Sequence, residues 1–421
     1  MAAVEQLPQA ALEVFPLGVA SGDAAPQSAV VWTRYTGAQM LRLVVFPQAG
    51  GAPVVDVVCA PADGGFVHVT VDGLSAGVRY QFAFITVEGG NAVRSPLGRF
   101  RAALADASMD PVVLGATACT SNARPRFRTL EQAGTRQDLD AFCLLGDTTY
   151  NDGAESLADY RAKWGENLAK EGYRALRAST SLLCTWDDHE VGNNWSPETI
   201  APQKLATATQ AFFEHQPVRR IPGAEGRLWR SYRWGRTVEV FVLDGRSERR
   251  PSTRTSPQCQ YISPEQMAWL KAGLAASPAV FKVLMNSVPM GNFPQTFNLG
   301  DVLLDPEDRW QGYKPQQDEL LTFIETTPVR GVVFLSGDFH LACTGRVSPD
   351  GLGSQTLEVL AGPGAQFPNP LHYLLRGPQF DFGTSTFNYV ALHCDPASRQ
   401  MRVAYHNEEG NIFHEQTFVL P

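Results

Sequence analysis

The chain has 421 residues, of which 44% are hydrophobic and 19% charged, and its formal net charge is −8. This length exceeds one ordinary hydrophobic core and predicts about two or three globular domains. The acidic balance excludes a nucleic-acid binder that relies on a basic surface. No apolar run in the sequence is long enough to cross a bilayer.

The N-terminus and the cysteines give limited information on the cellular compartment. The first residues have neither the basic nor the apolar region of a leader peptide, so either the protein stays inside the cell or a leader was removed. The seven cysteines are odd in number and widely spaced, so no disulfide framework is predicted. Cys143 and Cys184 fall within apolar runs and are predicted to be core residues.

Residues 12–104 have the pattern of an all-β domain. Short apolar runs are separated by Gly, Pro, Ala and Asp at the spacing of a β-sandwich. The segment 71–80 resembles a strand junction of fibronectin type III domains, in which a Leu and a following Tyr hold the corner. Because no acid–base cluster occurs in this part of the chain, we predict that it is a scaffold.

After a linker near residues 102–111, strand-like and helix-like patterns alternate, which predicts an α/β domain over residues 110–421. The strand candidates are 112–117, 141–145, 181–184, 238–243, 280–285 and 332–335, and the helix candidates lie near 155–170, 201–215, 264–276 and 315–326. The third helix has the clearest start, since Ser263 can cap it, Pro264 takes its first position and Gln266 can complete a capping box. Strand-like runs return between residues 354 and 421.

Each predicted core strand is followed by an unusual polar group. In chain order these groups contain Cys119, then Asp147 with Tyr150 and Asp152, then Asp187 to Glu190, then Asp244 with Arg246, and finally Asp338 with His340. Taken singly, each group has an ordinary explanation as a turn, a surface ion pair or a core residue. Ligands of open α/β sheets collect beyond the carboxyl ends of the strands. Closely packed carboxylates raise each other's pKa unless a cation neutralises them, so the five groups together predict a metal centre.

These groups resemble the motifs of a known family. The segment 146–150, Gly-Asp-x-x-Tyr, is similar to the second motif of the calcineurin-like metallophosphatases. The segment 187–190, Asp-Asp-His-Glu, stands where that superfamily usually has Gly-Asn-His-Glu. The segment 337–340, Gly-Asp-x-His, stands where Gly-His-x-His is usual. With Cys119 and the N-terminal segment 15–23, these replacements resemble the alkaline phosphatase D (PhoD-like) family.

The resemblance implies a fold and a metal site. The implied fold is α/β, with an N-terminal fibronectin-like β-sandwich followed by a metallophosphatase α/β/β/α sandwich. The implied cofactors are one Fe³⁺ with one or two Ca²⁺, and other divalent metals stay open. The implied metal ligands are Cys119, Asp147, Tyr150, Asp187, Asp188, Asp338 and His340. Asp188 stands at the position of the superfamily's metal-binding Asn and is preferred over Asp187, and aspartates suit calcium because it prefers oxygen ligands.

The same resemblance implies hydrolysis of phosphate esters, of alkaline phosphatase or phosphodiesterase type, by attack of a metal-bound hydroxide on phosphorus. Asp147 would bridge the metal ions. His189 would stabilise the transition state or protonate the leaving group. Arg246 would clamp a phosphate oxygen, and Asn194 or its neighbour Asn193 would bind a metal ion or the phosphate.

Several alternatives stay open at this point. The same site could serve a phospholipase D-like enzyme or a phosphotriesterase, and a chain of another class could be a non-enzymatic phosphate- or carbohydrate-binding protein. The expected partner is a small phosphate ester, nucleic-acid binding is not expected, and the oligomeric state is open. Family members are commonly exported by the twin-arginine route, yet the sequence shows no such leader.

Overall fold

The computed structural model describes residues 2–121, 123–293, 306–375 and 377–420. After a short helix, α1 (Ala2–Glu5), the N-terminal part is built mainly of strands. They are β1 (Val19–Gly22), β2 (Ser28–Arg34), β3 (Leu41–Pro47), β4 (Val55–Cys59), β5 (Phe66–Asp72), β6 (Arg79–Glu88), β7 (Asn91–Arg94) and β8 (Gly98–Arg101). An antiparallel sheet in the order β4-β3-β6-β7, with β8 also paired to β6, packs against β1, β2 and β5 through a shared apolar core. The predicted N-terminal β-sandwich is therefore confirmed.

One sheet of this sandwich continues into the rest of the chain. The strands β9 (Val112–Thr117), β10 (Ala141–Leu144) and β11 (Ser181–Cys184) are parallel, and β19 (Tyr389–Asp395), β20 (Gln400–His406) and β21 (Ile412–Val419) extend them antiparallel. The full order is β21-β20-β19-β9-β10-β11-β1-β2-β5. Strand β1 pairs with β11 in parallel, with Ser21 opposite Ser181. All four residues of β1 are buried, as expected for a strand inside a sheet that is covered on both faces.

A second sheet faces the first across the main core. It comprises β12 (Arg230–Trp234), β13 (Val238–Val242), β14 (Phe281–Met285), β15 (Val332–Ser336), β16 (Ala342–Arg346), β17 (Leu357–Leu360) and β18 (Phe380–Thr384). Its order is β12-β13-β14-β15-β17-β16-β18, and the neighbours from β13 to β17 are parallel. Side chains such as Leu114 of the first sheet and Val283 of the second meet in one buried cluster between the sheets.

Helices cover the outer faces of both sheets. On the first sheet lie α2 (Arg128–Thr135), α3 (Leu157–Leu168), α4 (Glu171–Arg177) and α5 (Pro202–His215), and on the second lie α6 (Pro264–Ala276) and α7 (Lys314–Thr326). The predicted α/β/β/α arrangement is thus confirmed. Short 3-10 turns occur at Asp63–Gly65, Pro251–Thr253, Pro306–Asp308, Trp310–Tyr313 and Pro370–Leu374.

The local predictions are confirmed with two corrections. All six strand candidates and all four helix candidates occur, but the helices α2 and α4 were not predicted, because their eight and seven residues are fewer than the roughly 11–18 residues over which helical periodicity is recognised. Ser263 caps α6 by accepting a hydrogen bond from the backbone of Gln266 at 3.0 Å. The capping box is wrong, since the Gln266 side chain instead binds the backbone of Asp244 and the carboxylate of Glu248.

The predictions on the cysteines also agree with the structure. The seven cysteines form no disulfide, and Cys143 and Cys184 are buried. None of the helices in the described ranges is long and apolar enough for a membrane span.

Candidate metal centre

The two sheets bring the ends of their parallel strands to one cavity. Cys119 follows β9, Asp147 follows β10, Asp188 follows β11, and Asp338 and His340 follow β15. The Sγ atom of Cys119, from the first sheet, lies 3.5 Å from the backbone oxygen of Asp338, from the second. A cavity of about 580 Å³ opens over this junction. Its lining residues are Asp147, Asp188, His189, Asn193, Asn194, Asp308, Asp338, Phe339, His340, Phe367, Pro368, Asn369 and Pro370.

Potential ligand atoms from these strand ends lie close enough to share metal ions. Three groups have ligand atoms that all lie within 4.8 Å of one another. They are Cys119 with Asp147 and His340, Asp147 with Asp188 and His189, and Asp147 with Asp187, Asp188 and Asp338. Asp147 belongs to all three groups, so its carboxylate lies where neighbouring ions would meet.

The backbone is strained where these side chains emerge. Positive φ angles occur at Cys119 (57°), Asp147 (53°), Asp338 (72°) and His340 (52°), a region that non-glycine residues rarely adopt. Such strain clusters at functional sites, where the surrounding structure enforces it. The turn at Gly146 (φ 111°) is equally constrained, since a Cβ there would lie 2.6 Å from the Cβ of Asp187. The strands therefore end in turns that aim the ligands inward.

Tyr150 joins the group that contains the thiol. Its hydroxyl donates a hydrogen bond to Oδ2 of Asp147 at 3.1 Å and lies 3.1 Å from Nε2 of His340. Its ring packs on the ring of His189 with centroids 4.0 Å apart. Burial and the nearby charge of Asp147 raise the pKa of Tyr150 well above its usual value. The same two causes raise the pKa of the Cys119 thiol, so ionisation of either group requires a nearby cation.

The cluster of Asp147, Asp187, Asp188 and Asp338 has oxygen atoms that fit a cation. Oδ1 of Asp147, Oδ2 of Asp187 and Oδ1 of Asp188 are buried and, within the described part of the chain, accept no hydrogen bond. Burying a carboxylate oxygen without a partner is costly. Burial and the surrounding carboxylates also raise the pKa of Asp338 well above its usual value. A bound cation would satisfy these oxygens and remove the repulsion, so these residues fit an oxygen-ligated metal ion.

His189 lies at the wall of the cavity beside the carboxylates. Its Nδ1 lies 2.6 Å from Oδ2 of Asp152, which orients the ring, and its Nε2 lies 4.0 Å from Oδ2 of Asp188. Burial lowers the pKa of His189, but Asp147, Asp188 and Asp152 outweigh that effect and raise it to about 10. Nε2 is therefore the ring atom that faces the anionic centre.

Comparison with known proteins bears on what this centre does. A family model described as PhoD-like phosphatase matches residues 114–366, more than half of the chain, and a model of the N-terminal domain of these phosphatases matches residues 2–104. The chain belongs to the PhoD-like phosphatase family. The resemblance deduced from the sequence motifs is therefore confirmed.

Individual relatives agree with this membership. Alkaline phosphatase D of Bacillus subtilis (strain 168) is 26% identical over 399 aligned positions, which cover 80% of this chain and 66% of the relative, slightly under two thirds of its length. A solved structure of PhoD matches with a TM-score of 0.83 at 22% identity, covering 97% of this chain and 90% of that one. The purple acid phosphatase PPD1 of yellow lupin matches with a TM-score of 0.69 at 13% identity, covering 95% and 73%. Both structural matches show the fold.

Arg246 has other partners than the phosphate oxygens expected from the sequence. The side chain is fully buried and does not line the cavity described above. Its Nε donates to Oδ1 of Asp187 at 2.7 Å, its Nη2 lies 2.7 Å from Oδ2 of Asp308, and Asp188 lies 3.9 Å away. Asn194, by contrast, does line the cavity, and its backbone N–H donates to Oδ2 of Asp188 at 2.7 Å. In this structure Arg246 therefore supports the carboxylates from behind.

Two residues outside the predicted set also organise the centre. Glu190 accepts hydrogen bonds from the backbone N–H groups of Asp147 (3.1 Å), Thr148 (2.6 Å) and Asp187 (2.9 Å), so one buried carboxylate ties together two ligand-bearing turns. Asp308, which lines the cavity, accepts a hydrogen bond from Nη1 of the buried Arg246 at 2.9 Å. The motif at 187–190 singles out the segment around Glu190, but only the contacts reveal the roles of both residues.

Proposed function

We propose that this protein is a metal-dependent phosphoric ester hydrolase that acts on small monoesters or diesters of phosphate. One observation carries the proposal: in a member of the PhoD-like phosphatase family, three ligand groups share Asp147 at the base of an open cavity. Buried carboxylate oxygens without partners support a cation at this position.

For the metals, we infer one Fe³⁺ and one or two Ca²⁺. Cys119 and Tyr150 would hold the iron with Asp147 and His340, because thiolate and phenolate are anionic ligands that balance a highly charged ion. Asp187, Asp188 and Asp338, with the shared Asp147, would hold calcium through oxygen. When bound, such cations neutralise the phosphate and lower the pKa of a coordinated water molecule. Other divalent metals are compatible with the all-oxygen group.

The side chains around the metals would carry the remaining steps. His189, oriented by Asp152 and facing the cavity through Nε2, would donate a hydrogen bond to a phosphoryl oxygen and a proton to the leaving alkoxide. Asn194 at the cavity wall would donate a further hydrogen bond to the phosphate. Arg246 would act as a positioning residue, since its guanidinium orients Asp187 and Asp308.

Other readings have weaker support. Phospholipase D-like or phosphotriesterase activity would use the same centre and differ in the organic group that the cavity admits. A non-enzymatic phosphate- or carbohydrate-binding protein would be free to lose metal ligands, yet every predicted ligand position here bears a side chain able to bind a metal.

For the domains, residues 12–104 would serve as the β-scaffold and 110–421 as the catalytic part, joined through the β1–β11 pair.

The experiment compares Asp147→Asn with the exposed control Asp350→Asn. We expect the wild type and the control to hold iron and calcium by mass spectrometry and to hydrolyse 4-nitrophenyl phosphate or its bis ester. Asp147→Asn should lose at least about a thousandfold in kcat/KM, the order of magnitude of a principal electrostatic contribution to catalysis. Full activity in Asp147→Asn, or a wild type that holds no metal and hydrolyses neither ester, would contradict the proposal.

A further inference from the structure

Part of the cavity lining is apolar. Asp147, Asp188, Asp338 and the two histidines contribute polar side chains, whereas Phe339, Phe367, Pro368 and Pro370 contribute an apolar wall. Phe367 is 68% exposed, whereas Phe339 is only 6% exposed. Ligand sites are typically apolar cavities with a few convergent polar groups. An exposed phenyl ring beside buried metal ligands therefore marks a ligand-contact surface.

Phe367 belongs to a loop that is fastened to the metal centre at both ends. On one side, the backbone N–H groups of Gly364 and Ala365 donate to the oxygens of Ala118 (2.8 Å) and Cys119 (3.0 Å). On the other, the N–H of Asn369 donates to the oxygen of His340 at 2.7 Å. The exposed ring is thus presented at a defined place by hydrogen bonds to the turns that bear the ligands. Preorganised groups of this kind bind with a smaller entropic cost.

The charge of the cavity restricts what can lie against this wall. Among the described residues that line the cavity there is no Lys or Arg. Arg246 and Arg249 lie behind it and are paired with Asp308, and the buried Arg309 lies under the ring of Phe339, 4.7 Å from its centroid. A second anionic group on a substrate would therefore meet the carboxylate of Asp308 and apolar side chains, neither of which stabilises a buried negative charge.

We propose that Phe367, with Phe339 and Pro368, forms the subsite for the organic group of the ester and selects uncharged aromatic or aliphatic groups over small or negatively charged ones. This inference rests on the proposed function, since it assigns the organic end of the same substrate. The phosphoryl group would lie on the metal side, and the ring of Phe367 would cover the organic group at the opening. Phe367 is then a specificity-determining residue.

The test uses phosphonates, which carry one organic group each and are not hydrolysed. Metal-replete wild type should bind phenylphosphonate roughly tenfold more tightly than methylphosphonate, as burial of one ring against apolar atoms predicts. It should bind 4-carboxyphenylphosphonate about tenfold more weakly than phenylphosphonate, because the added negative charge meets apolar side chains and the carboxylate of Asp308. Isothermal titration calorimetry measures all three constants.

The variant Phe367→Ala should reduce the phenyl-to-methyl preference to about twofold, while Phe367→Trp should keep it. Tyr373→Ala is the matched control, since Tyr373 is an exposed aromatic residue of the next turn that does not line the cavity. Thermal melts establish that each variant folds. A preference that survives Phe367→Ala, or equal binding of the carboxylated compound, would overturn the inference. Hydrolysis of 4-nitrophenyl phosphate by the same samples tests the proposed function separately.

Discussion

The guanidinium of Arg246 donates a hydrogen bond from Nε to Oδ1 of Asp187 at 2.7 Å, and both side chains are fully buried. This pair lies directly behind the candidate metal centre, and Asp308 completes it from the cavity side. Removing one partner of a buried ion pair leaves the other charge uncompensated, which is much costlier than losing a surface pair. The pair therefore connects the stability of the fold to the position of the carboxylates.

For Arg246→Met we expect a loss of about 3–5 kcal/mol in the free energy of unfolding, because Asp187 and Asp308 lose their buried counter-ion. Metal content should fall as well, and Arg246→Lys should restore part of both. Urea denaturation and mass spectrometry give the two measurements. If Arg246→Met kept normal stability and metal content but lost hydrolysis, Arg246 would contact the phosphate directly.

Chelation should lower the melting temperature of the protein. The buried carboxylates of Asp147, Asp187, Asp188 and Asp338 repel one another without cations, whereas bound ions stabilise the folded state by mass action. Calorimetry before and after treatment with a chelator measures the change, and adding iron and calcium back should reverse it. An unchanged melting temperature after complete metal removal would argue against metals at this centre.

Tyr150→Phe should weaken and shift the visible absorption of the iron-loaded protein, leaving the band that arises from the Cys119 thiolate. A phenolate bound to Fe³⁺ gives a charge-transfer band, and the Tyr150 hydroxyl is the phenol beside Asp147 and His340. Asp338→Asn, on the carboxylate side, should keep a band while lowering calcium content. Absorption spectra with metal analysis distinguish the variants, and a spectrum of iron-loaded Tyr150→Phe identical to that of the wild type would exclude Tyr150 as an iron ligand.

Glu190→Gln should weaken metal binding although it replaces none of the proposed metal ligands. The Glu190 carboxylate accepts three backbone N–H groups, and a Gln amide would turn its own donors toward one or more of them. We expect about 10- to 100-fold weaker metal affinity, as for other residues that orient ligands. Competition with a chelator of known affinity measures it. The exposed Glu409→Gln is the control, and equal affinity in both variants would make Glu190 dispensable.

His215 should make the folded state sensitive to acid. Burial lowers the pKa of His215 to about 3, and its Nδ1 lies 2.7 Å from the backbone oxygen of Ala211. The unfolded chain therefore binds a proton on His215 near pH 6.5, whereas the folded chain does not. The free energy of unfolding consequently decreases as the pH falls from about 6.5 toward 3. At pH 5 the decrease is about 2 kcal/mol. Denaturant unfolding at several pH values should show a smaller acid loss for His215→Gln, and an unchanged pH dependence would contradict this. The exposed His372→Gln serves as the control.

Much of the secondary structure was predictable because its signals are local. The start of α6 at Ser263 and Pro264 and the apolar runs of β9, β10 and β15 depend only on neighbouring residues. The side-chain partners of Gln266 were not predictable in this way. Its amide meets Asp244 and Glu248, which lie 22 and 18 residues away along the chain.

Local sequence patterns also could not predict how far the first sheet extends. The run Val19–Gly22 is a plausible strand in any β-sandwich, but only the fold pairs it with β11, whose Ser181 lies opposite Ser21. Sequence spacing carries no information on which strand edge a chain segment will reach, because loop closure costs change only slowly with loop length.

By itself the sequence determined most of the strands and helices, the family, and the set of side chains available to bind a metal. Periodicity and motif spacing are properties of short segments, so these features survive without coordinates. Only the tertiary structure decided that Arg246 lies behind Asp187, that Glu190 joins two turns, and that Phe367 faces the cavity. Those relationships arise from packing between distant segments, where burial and charge compensation select the partners.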